Sequence, residues 1–216
     1  PEDGDVLCGA LLALDGYKDT FQNCFLCNQG GWSTIIRTYV RNMMKKLDLN
    51  SITISLIIPT LNAAEYMPSL IDILGRQTRK PDEIIVIDSE SEDATVRMAE
   101  QAGFRTLKVK KSEFDHGGTR NYAVAMSKGD IVMFLSQDAL PSDEHYVENM
   151  LAGFENEEVV MISARQLPRR DAKPDEALVR EFNYPAEGFV RSKEDIPRLG
   201  IKAYFFSDVC SAYRRD

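Results

Sequence analysis

Three short polar clusters each follow an apolar run, and they hold residue types from which a phosphate or sugar site can be built. Pro59-Thr60-Leu61-Asn62 closes the first run, Asp88-Ser89-Glu90-Ser91-Glu92-Asp93 the second and Ser136-Gln137-Asp138 the third. A carboxylate at the end of a buried strand stands at a rim, where a ribose hydroxyl, a base edge or a metal can use it. Asp138 offers a hard oxygen ligand, and Mg2+ or Mn2+ is commonly held by one or two protein groups together with a diphosphate. The competing reading of Asp138 is a capping or turn-forming residue ahead of Pro141, and spacing alone does not separate the two. A fourth cluster, Phe114-Asp115-His116-Gly117-Gly118-Thr119-Arg120-Asn121, joins glycines that permit close backbone approach to the guanidinium fork of Arg120. Its plainer reading is a turn leading into a helix. His116 is one of two histidines and is assigned to binding rather than catalysis, because a single His is more often a structural hydrogen-bonding group.

The elements that must position these clusters are short β-branched runs alternating with helical segments, the pattern of repeated βαβ units. Strands are predicted at 53–58, 83–87, 104–109, 131–135 and 159–164. Between them, Leu70, Ile71 and Leu74 mark one helix, and a second begins near Asp93 and ends at Gly103. A third closes at Gly129, and Tyr146, Val147, Met150, Leu151 and Phe154 stripe a fourth behind Ser142. The fold class is therefore α/β, a mostly parallel central sheet flanked by helices, with ligands expected at the carboxyl ends of the strands. Residues 167–200 are charged, contain proline and lack a clear period, so they are expected to form a long surface excursion.

Residues 1–50 differ from the rest and are taken as an N-terminal segment ahead of a domain over 51–216. Ile36, Tyr39, Val40, Met43 and Leu47 recur at helical spacing, predicting an amphipathic helix over 34–47 with Ser33 as its N-cap. Zinc at Cys24 and Cys27 needs two further ligands and only Cys8 lies nearby, so unpaired buried thiols are the preferred reading. The full chain of 216 residues carries 26 Lys and Arg against 34 Asp and Glu, a net charge of −8. That balance argues against a nucleic-acid partner, and Lys108, Lys110 and Lys111 read as a solvated strand end. No apolar run reaches membrane-span length and no signal-peptide pattern opens the chain, so a cytoplasmic location is the default.

Read together, Ile54-Ser55-Leu56-Ile57-Ile58-Pro59-Thr60-Leu61-Asn62, Pro81 to Ser89, Ser91 to Thr95, Gly118-Thr119-Arg120-Asn121 and Gly129 to Ala139 resemble the nucleotide-binding half of family 2 glycosyltransferases. The likeness is strongest over 52–145, and the Phe-Asp-His-Gly-Gly-Thr-Arg-Asn and Ser-Gln-Asp-Ala variants are similar to a rhamnosyltransferase-type branch. The resemblance implies a GT-A fold that binds a nucleoside-diphosphate sugar of the dTDP-rhamnose kind. An inverting transfer to a hydroxyl of a glycan or lipid-linked acceptor would follow, in cell-surface polysaccharide synthesis and with peripheral association at the inner membrane face as an option. It implies that Pro59, Thr60 and Asn62 line the nucleotide, that Asp88 holds base or ribose, and that Arg120 lies near the nucleotide. Ser89, His116 and Gln137 complete the candidate binding set. Asp138 is the implied ligand of Mg2+ or Mn2+; the usual Asp-x-Asp is here Ser136-Gln137-Asp138, and the diphosphate supplies other oxygens.

The family's acceptor-activating carboxylate follows the stretch resembling Phe205 to Arg215. The domain is therefore expected to be incomplete at its C-terminus, to bind donor and to transfer poorly, with no catalytic base named. The alternative is a non-catalytic nucleotide-sugar-binding fragment or module. A sugar nucleotidyltransferase ranks lower because its glycine-rich motif follows the first strand, whereas Gly118-Thr119-Arg120 follows the third. A dinucleotide dehydrogenase ranks lower still, since no Gly-x-Gly-x-x-Gly follows a strand.

Overall fold

The computed structural model describes residues 7–11, 49, 51–169 and 172–215. The predicted helix over 34–47, its Ser33 cap, Cys24 and Cys27 lie outside the described residues. Near-continuous runs of Ile, Val and Leu are what strands covered on both faces require, and they form β2 (Ile54–Thr60), β3 (Glu83–Asp88) and β5 (Ile131–Leu135), with β4 (Arg105–Lys108) beside β3. These four pair in parallel in the order β4-β3-β2-β5. Their carboxyl ends therefore share one rim.

The other half of the sheet is mixed. β8 (Cys210–Arg214) lies antiparallel to β5, and β6 (Met161–Ala164) antiparallel to β8. β1 (Leu7–Leu11) pairs antiparallel with β6 and parallel with β7 (Val190–Arg191), so part of the first 50 residues joins the same sheet. Because β8 runs against β5, its first residue, Cys210, stands opposite Leu135, and the loop before β8 reaches the rim where β5 ends.

Alternation along the strands divides the core in two. Ile54, Leu56, Ile58, Val86, Ile131, Met133 and Leu135 face α1 (Met67–Gly75), α2 (Thr95–Gln101) and α4 (Tyr146–Ala152). Ile57, Ile85, Ile87, Val132 and Phe134 face α3 (His116–Met126) through Ala123 and Val124. Gly129 is needed where it stands, because a Cβ there would lie 2.4 Å from the Ser55 nitrogen and 2.7 Å from the Ile131 oxygen. The excursion after residue 166 holds α5 (Pro174–Asn183), a helix the sequence reading did not separate from its surroundings. Proline in its first turn, followed by Asp175 and Glu176, starts it, and its apolar residues Leu178, Val179 and Phe182 remain exposed. A short helix, α6 (Ile196–Leu199), follows. Among the described residues, no helix is long and apolar enough to cross a membrane.

Candidate donor-binding rim

The loops that follow β2 and β3 are joined by a series of hydrogen bonds. Asp88 is 1% exposed and accepts from the Thr60 hydroxyl at 2.9 Å, from the Ser91 amide at 2.8 Å and from the Ser91 hydroxyl at 2.5 Å. The Ser89 amide donates to the Thr60 carbonyl at 3.0 Å. Asn62 adopts a left-handed φ of 49°, which Asn tolerates better than most residues. Its amide donates to Ser91 Oγ at 2.8 Å while its Oδ1 accepts from the Glu92 amide at 2.9 Å. Further along, the amides of Ala63 and Ala64 donate to Thr95 Oγ1 and Asp93 Oδ2. Burial raises the Asp93 carboxyl, but the Thr95 hydroxyl and the Ala64 and Thr95 amides outweigh it and hold it below the usual range. Asp93 therefore stays ionised as the anchor of the α1 and α2 entries.

Gln137 ties this pair of loops to β5. Its Oε1 accepts from the Leu61 amide at 2.8 Å, and its Nε2 donates to the Leu61 carbonyl at 3.2 Å. Thr60, Asn62, Asp88, Ser89 and Gln137 are thus brought together, each with a hydrogen bond inside the protein that shapes the rim. Pro59, half-buried, is the penultimate residue of β2 beside them.

Asp138 differs from these residues. It is exposed and lies within a turn whose central residues are Gln137 and Asp138, closed by the Ala139 amide donating to the Ser136 carbonyl at 3.0 Å. No described residue donates a hydrogen bond to its carboxylate and α4 begins only at Tyr146, so of the competing reading ahead of Pro141 the turn-forming half agrees with the structure and the capping half does not. Nearby, the Glu65 hydrogen bond and charge raise the Tyr66 phenol, with a weaker contribution from Asp138. Tyr66 was not singled out from sequence. Among the described residues, no group of three or more His, Cys, Asp or Glu could hold a metal. A single exposed carboxylate with no hydrogen-bond donor among the described residues fits a cation whose other ligands are diphosphate oxygens and water.

The fourth cluster enters the rim from the other face. Asp115 caps α3 by accepting from the Gly118 amide, as the turn-into-helix reading expected. His116 is exposed, its ring edge-on to Phe114 at 5.0 Å. Arg120 donates from Nη1 to the His116 carbonyl at 2.8 Å, and its guanidinium lies 5.8 Å over the Phe134 ring. Its Nε is buried and has no hydrogen-bond partner among the described residues, a donor that a ligand oxygen can satisfy.

Against Phe134 packs Tyr213, its ring edge-on at 5.8 Å, and the Tyr213 hydroxyl donates to Asp208. Burial, then the Asp208 hydrogen bond and charge, push the Tyr213 phenol well above its ordinary value. Tyr213 therefore remains the donor of that pair. Asp208 and Tyr213 received no role from sequence, although the whole stretch was noted for its family likeness. Cys210, two residues on from Asp208, is a free thiol that burial pushes up to about 11. It serves as a core residue and not as a nucleophile.

The profile of Glycosyl transferase family 2 matches residues 55–216, which include all of these loops. The chain belongs to glycosyl transferase family 2. This family 2 chain is 42% identical over 164 residues to the O-antigen chain rhamnosyltransferase RfbN of Salmonella typhimurium, a match covering 75% of the chain. It is 40% identical over 163 residues to the O-antigen chain rhamnosyltransferase WbaN of Salmonella anatum, covering 74% of the chain. The matched region spans 52% of the length of each relative.

Among solved structures, similar folds occur in two transferases. One is glucosyl-3-phosphoglycerate synthase from Mycobacterium tuberculosis with Mn2+, UDP and glucosyl-3-phosphoglycerate (TM-score 0.53, 22% identity, 87% of this chain and 62% of that one). The other is a mannosyltransferase from Pyrobaculum calidifontis with GDP-Man and Mn2+ (TM-score 0.55, 20% identity, 84% and 52%). The family 2 chain thus has the GT-A arrangement, a central sheet flanked by helices.

Proposed function

We propose that this chain is the donor-binding part of an inverting glycosyltransferase that moves a deoxyhexose such as rhamnose from a nucleoside diphosphate to a hydroxyl of a glycan or lipid-linked acceptor in cell-surface polysaccharide synthesis. The observation that carries the reading is the rim itself, where three strand-end loops are hydrogen-bonded into one surface beside Asp138, whose carboxylate has no hydrogen-bond donor among the described residues. Likeness to two O-antigen rhamnosyltransferases supports rhamnose as the sugar.

In this reading the domain over 51–216 receives the nucleoside at Pro59, Thr60, Asn62, Asp88 and Ser89. Gln137 keeps the first loop registered against β5, and the fork of Arg120, with His116 beside it, offers donors to phosphate oxygens. Asp138 and the diphosphate would hold Mg2+ or Mn2+, which when bound supplies positive charge against the departing nucleoside diphosphate. The acceptor oxygen bonds to the anomeric carbon on the face opposite the diphosphate as the carbon–oxygen bond to phosphate breaks, and the hydroxyl proton passes to a general base. No described residue is assigned that role. A cytoplasmic site at the inner membrane face would bring the rim to lipid-linked acceptors; the exposed Leu178, Phe182, Ile201 and Tyr204 support such an association.

A calorimetric panel tests the donor assignment. With Mn2+ present, dTDP-L-rhamnose is expected to bind more tightly than UDP-glucose or GDP-mannose. Tighter binding of either competitor would reject rhamnose as the natural sugar, and no binding of any nucleoside diphosphate sugar would reject the donor site.

A further inference from the structure

Strands β3, β2, β5 and β8 are neighbours in that order, and each step across a sheet is about 4.8 Å, so the rim from Asp88 to the start of β8 extends about 14 Å. A nucleoside-diphosphate sugar is a linear ligand of three parts. With the nucleoside at the β3 and β2 ends and the diphosphate at Asp138 after β5, the next position along the rim is the loop that opens β8. That loop is held on both sides. The Ser136 amide donates to the Val209 carbonyl at 2.8 Å, Ser163 Oγ donates to the Ser207 carbonyl at 3.1 Å, and Gln166 Nε2 donates to Ser207 Oγ at 2.7 Å.

On this anchored loop stands Asp208, exposed. The Tyr213 and Ser211 hydroxyls both donate to Oδ1, and no described residue donates to Oδ2. Tyr213 is itself fixed by ring contacts with Phe134 at 5.8 Å and Phe206 at 5.5 Å. A carboxylate oriented through one oxygen, with the other open at the rim, is suited to accept from a hydroxyl. It repels phosphate and so favours the uncharged end of the donor. The half-buried Phe206 ring beside it adds an apolar surface against which sugar C–H groups can pack.

We propose that Asp208 receives hydroxyl groups of the transferred sugar and that Tyr213 is the positioning residue that aims its carboxylate. This inference rests on the donor-binding reading above. It assigns the sugar end of the ligand to a residue separate from the nucleotide and metal loops.

The test is titration of the 216-residue chain, its D208N variant and its Y213F variant with dTDP and with dTDP-L-rhamnose in Mn2+, taking the ratio of the two dissociation constants for each protein. Changes in charge near the phosphates affect both ligands and cancel in the ratio, as does any loss of folded protein. A hydrogen bond to a charged group is the contact removed, so D208N should raise the rhamnose-to-dTDP ratio about 10-fold or more over wild type, and Y213F about 2- to 5-fold. An unchanged ratio in D208N, or equal losses for both ligands with a lowered melting temperature, would show Asp208 to be structural and overturn the proposal. An effect of Y213F as large as that of D208N on both ligands alike would overturn the positioning role. Failure of the wild-type chain to bind either ligand would overturn the donor reading, and this assignment with it.

Discussion

At the scale of single residues, carboxylates on one rim divide into different kinds of work. Asp88 is buried and holds Thr60 and Ser91, whereas Asp138 is exposed with no donor among the described residues. By spacing alone both are strand-end acids, and the family resemblance assigns Asp88 to base or ribose and Asp138 to the metal; what separates their surroundings is the position of hydroxyls and amides brought in by another loop. A carboxylate at a strand's carboxyl end contributes little packing, so by position alone Asp88→Ala would leave the fold intact. Its hydrogen bonds alter that expectation: removing the carboxylate strands the Thr60 hydroxyl and the Ser91 amide, at a cost of about 1–3 kcal/mol. Urea denaturation should show the lowered midpoint, and calorimetry should show weakened nucleotide binding in the fraction that remains folded. An unchanged midpoint with lost binding would make Asp88 a direct ligand contact with no scaffold role.

At the scale of elements, the edge of the sheet opposite the rim carries its own polar cluster, centred on Glu83. Its carboxylate accepts from Ser55 Oγ and from the Lys128 amide, both at 2.6 Å, and lies 3.6 Å from Arg105. Burial raises the Glu83 carboxyl, but the Ser55 hydroxyl, the Lys128 amide and Arg105 outweigh it, and the group sits below its usual value. A depressed folded value means that its stabilisation is complete above the unfolded value of about 4.3 and is lost as pH falls through the folded one. The stability of E83Q should therefore differ from wild type near neutrality and converge with it in acid. A constant difference down to strongly acidic pH would show that the carboxylate's charge is not what matters there.

The elements read well from sequence where periodicity and burial agree. The sequence bounds of β5 match those observed, and those of β2 and β3 agree to within two residues, because buried parallel strands carry unbroken apolar runs; β4 agrees to within one residue at each end although it is only half-buried. α5 is not separated by the sequence reading because it is short and lies within a charged, proline-containing stretch, although Pro174, Asp175 and Glu176 are a start signal and Leu178, Val179 and Phe182 recur at helical spacing. The antiparallel half was also hidden. β8 mixes Cys, Ser, Ala, Tyr and Arg, and its partners β5 and β6 lie far away in sequence, so the arrival of the Asp208 loop at the end of β5 depends on a pairing that local pattern does not encode.

At the scale of the whole molecule, the parallel half supplies the loops proposed for the nucleoside and the carboxylate proposed for the metal, and the antiparallel return of β8 brings the loop of one more carboxylate to the same edge. A chain of net charge −8 proposed to host a diphosphate at such a rim needs positive charge there, and the single charge of Arg120 does not by itself balance that ligand. The account therefore stands on Asp138 as the protein's ligand to a divalent cation. The direct measurement is calorimetric titration of the wild-type chain and of D138N with dTDP, each in Mn2+ and in EDTA. The account predicts that wild-type affinity falls about 10-fold or more in EDTA, and that D138N binds weakly with little response to the metal. Equal wild-type affinity in Mn2+ and in EDTA, or a D138N variant that keeps the full response to Mn2+, would contradict it.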